Sequence, residues 1–304
     1  MKVFLRILLF ISLVFVTLYL YTNDLLKVPE LQSPFLFFIS VILIIAGFLF
    51  DVKAWQIIAR TSIPELEYKY AFISTGKFIF SKYIPGKLWI ILGKAAYLKD
   101  RYKKPMLDLS SFSLFYQMIA IVTGTLTGFA VLFFMDIRLA WILLSIITLG
   151  IFAGFLFYEK AIKISSGILT GIFKNPIEIP LVPFKTTLRL SIISLFNWLV
   201  WALAFYIFLL SVNTFSANIQ IAAGLLFPIS SVIGILVLIA PGGLGFREGF
   251  LALGLVAMGL NAKEAASVAI LSRLWFLVGE VVFFVTAFSL GFFDEHKTVY
   301  DTVK

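Results

Sequence analysis

Residues 218–249 read NIQIAAGLLFPISSVIGILVLIAPGGLGFREG, and this stretch decides how the chain is understood. An apolar run ends at Ile239-Ala240 and stops at Pro241-Gly242-Gly243-Leu244-Gly245, after which Arg247-Glu248 opens a second apolar segment to Leu260. A run of about 20 apolar residues is what a helix needs to cross the hydrocarbon core of a bilayer. Three glycines and a proline within five residues break that helix and let backbone come close to a ligand. A new helix is expected to start near Phe246, with its unpaired N–H groups and positive dipole end at the break. Arg247 adds a planar donor fork that matches phosphate. The plainer alternative is a Pro-Gly turn at the membrane surface with both charges solvated. Charges placed between two apolar segments are costly, however, and usually have a task. Gly242, Gly243, Gly245, Arg247 and Glu248 are therefore expected to hold an anionic headgroup at membrane depth.

Working outward, composition agrees. Of 304 residues, 61% are apolar and 13% charged, with a mean hydropathy of +1.05. Water would not tolerate that much apolar surface, whereas lipid solvates it. The runs are continuous rather than alternating, which indicates helices and not a barrel. The expected fold is all-α, a polytopic transmembrane helix bundle of about seven or eight spans with one or two Pro-Gly-broken or re-entrant segments. Spans are expected near 4–22, 34–51, 109–135, 139–158, 188–211, 218–240 and 264–291. The first reads as retained, since Tyr19 to Asp24 offers no small-residue cleavage site. One transmembrane domain over 1–304 is expected.

The chain has no cysteine and one histidine, His296, in its polar tail. Thiolate chemistry, cysteine metal sites and imidazole acid–base catalysis are thereby disfavoured, and no cofactor or metal is expected. The net charge of +9 reads as loop lysines and arginines that face anionic lipid, not as a nucleic-acid surface. Eleven lysines and arginines fall between Val52 and Asp108, while the opposing loops carry Lys27 and Arg138. That bias puts the N-terminus in the cytoplasm; seven full spans would put the C-terminus outside, and a full crossing by 67–98 or 241–260 would reverse that, so its side stays open.

A second interrupted segment runs from Glu67 to Leu98 and breaks at Pro85-Gly86-Lys87. Matching Pro85 to Pro241 also matches Gly86 to Gly242, Leu88 to Leu244 and Gly93 to Gly249. Paired interruptions in two halves of a chain point to a transporter's repeat and binding site, here around 67–98 and 241–260. The alternative is an amphipathic surface helix whose lysines at 77, 82, 87 and 94 sit at headgroup level. In the last span Arg273 and Glu280 lie seven residues apart on one face. Their separation of roughly 10 Å is too long for a direct pair. Glu248 is the expected partner of Arg273 and Arg247 that of Glu280, as a ligand site, as an ion-pair network, or as both. Gln117, Thr123, Thr125, Thr127 and Asn197 are expected to hydrogen-bond between helices, and Gly124-x-x-x-Gly128 to pack closely. Trp55, Trp89 and Trp141 are expected to be interfacial anchors.

The motif from Pro241 to Gly249, followed by Met258-Gly259-Leu260, Ala265-Ala266 and Leu271-Ser272-Arg273-Leu274, resembles the signature of the flippase-like family. That family includes the membrane flippase region of lysylphosphatidylglycerol synthases. Lys82 to Lys87, with Gly93-Lys94-Ala95, is similar to its first motif. The resemblance implies translocation of lipids with charged or glycosylated headgroups across a prokaryotic cytoplasmic membrane. It extends to Pro85, Gly86, Lys87, Gly242, Gly243, Gly245, Arg247, Glu248 and Arg273. The sequence shows no soluble aminoacyl-transferase domain, so synthesis of a lysyl-lipid is not implied.

The leading expectation is thus a lipid transporter rather than an enzyme, with Glu280 joining the headgroup site. Its partners would be membrane phospholipids, anionic or aminoacylated or glycosylated, and no nucleic acid. A homo-oligomer or a lipid-modifying partner enzyme stays open. The alternatives are an accessory subunit anchoring such an enzyme or a glycosyltransferase through the basic stretch Lys94 to Lys104, and a membrane glycosyltransferase. The latter lacks a loop large enough for acidic catalytic residues. No nucleotide-binding loop is present, which leaves a gradient or passive exchange to drive movement.

Overall fold

The computed structural model describes residues 31–84, 88–134, 150, 158–173, 182–212, 217–237 and 240–302. The expected spans at 4–22 and 139–158 lie almost wholly outside the described residues, as do Pro85, Gly86 and Lys87. The ordered elements are helices, and no strand occurs among the described residues.

Among the described residues, four helices are long and apolar enough to cross a membrane. They are α1 (Pro34–Ala59), α4 (Met106–Phe129, extended by a 3-10 turn to Phe134), α6 (Phe184–Val212) and α9 (Ala262–Thr302). The shorter helices are α2 (Tyr68–Lys77), α3 (Leu88–Tyr102), α5 (Tyr158–Phe173), α7 (Ala217–Leu236) and α8 (Phe246–Ala257). Ser33 starts α1 by accepting the Leu36 N–H on its hydroxyl at 3.3 Å, and Pro34 fits the first turn because it has no N–H to satisfy. α1 continues to Ala59 rather than ending near 51. It carries Asp51 inside a helix that α2, α4, α6 and α9 cover, so the charge does not mark a surface.

Lipid is as apolar as the helix faces, so packing and buried hydrogen bonds join the helices. Aromatic rings do much of this. Phe48 stacks on Phe283 at 4.8 Å, Phe205 on Phe227 at 4.9 Å and Phe208 on Trp275 at 5.0 Å, which ties α1, α6, α7 and α9 together. Their polar tips are satisfied: Trp275 donates to Ser40 at 2.8 Å, Trp201 to the Ile44 carbonyl at 3.1 Å and Trp198 to the Ala120 carbonyl at 2.8 Å. Trp55 is fully buried and donates to Ser74 at 3.1 Å, so it is a core residue and not an interfacial anchor. Trp89 is exposed as expected, and Trp141 lies outside the described residues. Gly124 and Gly128 do let helices approach closely: a Cβ on either would clash with Trp198 and Val232, or with Ile229. Of the hydroxyls on α4, Thr123 meets Ser194 of α6 at 2.8 Å, whereas Thr125 and Thr127 turn back to carbonyls of their own helix.

Both interrupted segments double back. At about 1.5 Å per residue, α2, α3 and α8 are about 15, 22 and 18 Å long, short of a 30 Å core. α2 descends antiparallel to α9, with Lys69 beside Asp294, Gly76 against Ala287, and Lys82 reaching Glu280. The chain then returns through α3, and Arg101 meets the same Asp294 at 3.0 Å. Both outer ends of this first hairpin therefore converge on one carboxylate. The hydrogen bond from Lys69 to Asp294, 2.5 Å long, raises the pKa of its ammonium.

The second hairpin enters from the opposite face. α8 runs back along α7, with Gly243 and Arg247 beside Gly234, and Gly254 against Leu226. The 218–240 stretch is thus one leg of a hairpin rather than a complete crossing. It turns at Pro241–Gly243 because that run cannot continue a helix. α9 runs parallel to α1, with Trp275 beside Ser40, Gly279 beside Ile44 and Phe283 beside Phe48. Its C-terminal end consequently stands at the face that carries Lys69 and Arg101. Of the two placements the sequence leaves open, the C-terminal end of α9 takes the one on the side of Lys69 and Arg101.

Candidate functional site: two hairpin tips at the centre of the bundle

The two tips meet. Tyr83, at the end of a 3-10 turn (Ile79–Tyr83), stands so close to Gly242 that a Cβ there would come within 2.6 Å of its ring. Gly242 and Gly243 both have left-handed backbone, with φ of 60° and 72°, a region other residues enter at a cost of about 1–2 kcal/mol. A Cβ on Gly243 would also meet the backbone of Gly234 at 2.5 Å, and backbone cannot swing aside. Gly245 shares the strain, with φ of 82°, but a Cβ there would meet nothing within 4 Å. Gly243→Ala is therefore expected to lower the unfolding temperature in detergent clearly more than Gly245→Ala does. Equal losses would show that strain alone governs this turn.

α9 supplies the charges that fix the tips. Arg273 donates from Nη1 to the Gly242 carbonyl at 3.0 Å and to Glu248 Oε1 at 3.3 Å, the partner expected from the sequence. Its guanidinium also lies 5.0 Å from the Tyr83 ring centroid. Glu248 accepts the Gly245 N–H on its other oxygen at 2.8 Å. One N–H at the start of α8 is thus capped by the helix's own carboxylate, so the α8 N-terminus is not wholly open to a ligand.

Glu280, 1% exposed, pairs with Lys82 and accepts the Tyr83 hydroxyl at 2.9 Å. The expectation that Arg247 would be its direct partner is corrected. The tip of the first hairpin brings Lys82 there, so that lysine is not at headgroup level. Lys94 is likewise buried, at 5% exposure. Lys82 and Tyr83 are thus members of the centre that sequence reasoning missed. The available signal was Lys82-Tyr83 immediately before a Pro-Gly break.

Arg247 remains. It is 6% exposed, on the first turn of α8, with its guanidinium carbon 4.6 Å from the Phe227 ring centroid and 5.3 Å from that of Phe276. Its Nε and Nη2 have no hydrogen-bond partner among the described residues, nor has Arg273 Nη2. Among the described residues, three cations (Lys82, Arg247, Arg273) face two carboxylates (Glu248, Glu280), an excess of one positive charge. A desolvated guanidinium with two orphan donors is expensive unless an anion completes it.

A family model described as Lysylphosphatidylglycerol synthase TM region matches residues 3–280. No curated protein and no solved structure matches the chain.

Proposed function

We propose, from the premise that this chain belongs to the lysylphosphatidylglycerol synthase transmembrane-region family, that it moves a phosphate-bearing lipid headgroup across a prokaryotic cytoplasmic membrane. The chain is a helical membrane protein of a family tied to lipid modification and flipping. The observation that carries the finer reading is Arg247, a buried cation with two unused donors where two re-entrant tips meet. A phosphodiester monoanion would accept from that fork and balance the excess charge. Arg273 and the glycines would position the tip against it, and Lys87, which lies outside the described residues, would assist.

On this reading the protein is a transporter and not an enzyme, and membrane phospholipids with anionic, aminoacylated or glycosylated headgroups are its partners. The basic face is cytoplasmic, following the lysine and arginine bias. The accessory-subunit alternative drew on the stretch Lys94 to Lys104, but Lys94 pairs with Asp51 and Arg101 with Asp294, which leaves less of it for docking.

Purified protein in vesicles of phosphatidylglycerol and phosphatidylethanolamine, with a fluorescent phospholipid added to one leaflet, tests the reading. Transbilayer movement above that of empty vesicles supports it. Movement no faster than in empty vesicles for anionic, aminoacylated and glycosylated lipids alike would sink it.

A further inference from the structure

The charges around Arg247 limit what can accompany a phosphate bound there. Each carboxylate oxygen at the centre already accepts from the chain. Glu248 takes Arg273 on Oε1 at 3.3 Å and the Gly245 N–H on Oε2 at 2.8 Å. Glu280 takes Lys82 on Oε1 and the Tyr83 hydroxyl on Oε2 at 2.9 Å. Two further acids within the helices, Asp51 and Asp294, pair with Lys94 and with Lys69 and Arg101. The rings are taken as well. Lys82 lies 5.5 Å from the centroid of Tyr83 and 5.6 Å from that of Phe276. Arg273 shares the first ring at 5.0 Å, Arg247 shares the second at 5.3 Å, and Phe227 faces Arg247 at 4.6 Å. Among the described residues, what stays open at the centre is donors: Nε and Nη2 of Arg247 and Nη2 of Arg273.

Taking Arg247 as the phosphate site, as proposed above, we infer that the centre selects headgroups carrying one phosphodiester charge and no ammonium over ethanolamine and aminoacylated headgroups. A phosphodiester brings two non-bridging oxygens for the open donors, and its single negative charge offsets the excess of one cation among the described residues. An ethanolamine headgroup sets an ammonium two carbons from the phosphate ester oxygen, inside the same enclosure. There it finds neither an unengaged carboxylate oxygen nor a ring without a cation among the groups just described. It also restores the charge excess that the phosphate had removed. Like charges brought together where water is excluded repel strongly, and that repulsion discriminates between ligands more than it sets their affinity. An aminoacyl ester adds at least one ammonium in the same way. Glycerol brings only hydroxyls, which carry no charge. Selectivity at this site is thus exerted against the amine as much as toward the phosphate.

Three lipids with the same fluorescent acyl chain test this: phosphatidylglycerol, phosphatidylethanolamine and N-acetylphosphatidylethanolamine, which is the second lipid without its ammonium. In an uncharged detergent, the purified chain is expected to bind the first and third at least about 10-fold more tightly than the second. The difference is expected to persist in about 1 M salt, which screens exposed lysines within about 3 Å. Arg247→Leu is expected to abolish it. Equal binding of all three lipids by the natural chain overturns the inference. So does a difference that vanishes in salt or survives Arg247→Leu, since either result assigns the preference to the basic face. If Arg247→Leu does not fold, the salt series on the natural chain decides. Glycerophosphoglycerol, the first headgroup without acyl chains, is the water-soluble arm. Binding of it with none of the lipid would make the ligand a soluble phosphodiester and overturn the inference. The same three lipids then enter the vesicle assay. Selective binding with no lipid moved would reject the transporter reading and leave the selectivity in place. Movement of all three with equal binding would keep that reading and overturn the selectivity.

Discussion

Replacing Arg247 by leucine is expected to lower lipid translocation by about 10²–10⁴-fold while leaving the protein about as stable as the natural chain. The two unused donors on Nε and Nη2 each offer a charge-assisted hydrogen bond, about 1.5–3 kcal/mol apiece. Together they amount to about 3–6 kcal/mol of headgroup binding, which is the fold-change stated. Removing the side chain also removes a buried charge that has no carboxylate of its own, and that is neutral or favourable for folding. Against this stands the loss of its contact with Phe227 and Phe276, about 2 kcal/mol when desolvated. Arg247→Lys keeps the charge but not the fork and is expected to fall in between. Fluorescent-lipid movement and thermal unfolding, measured on the same preparations, check both halves. A large loss of stability with unchanged transport in the surviving fraction would make Arg247 a structural residue.

The largest effect on stability is expected at Glu280. Glu280→Ala strands the Lys82 ammonium and the Tyr83 hydroxyl in the bundle, at a cost of about 3–5 kcal/mol, as when one member of a buried pair is removed. Lys82→Met combined with Glu280→Met removes both charges and is expected to recover most of that loss. Unfolding in detergent distinguishes the outcomes. If the double variant is as unstable as the single one, the centre is held by shape and not by charge pairing. In that case the two tips would be joined chiefly through Arg273, whose bond to the Gly242 carbonyl does not depend on Lys82.

The sequence carried the membrane fold, the two breaks and the Arg273–Glu248 pair, for local reasons. Proline and glycine act on the backbone where they stand, and two charges on one helix face show in the spacing. It did not carry the direction of the chain after each break. Whether 241–260 crosses or returns depends on the packing of Gly243 against Gly234 and of Gly254 against Leu226, which no periodicity encodes. Nor did it carry the partner of Glu280. Lys82 lies 198 residues earlier and, in a row of lysines interleaved with aromatics, looks like a surface residue. Asp51 was hidden differently: a charge at the end of an apolar run reads as the end of a span, although the helix continues for eight more residues to Ala59.

The anchoring of the first hairpin by α9 also sets an order of assembly. Lys69, Lys82 and Arg101 are synthesised long before Asp294 and Glu280, which lie on α9. Until α9 enters the bilayer, the hairpin has no carboxylate for its tip and none for its two ends. Nascent chains of this protein therefore pass through a stage in which a lysine-bearing loop must wait at the membrane surface, where its charges are solvated. α9 is then what draws it inward, so the central site comes into being only once α9 has entered the bilayer.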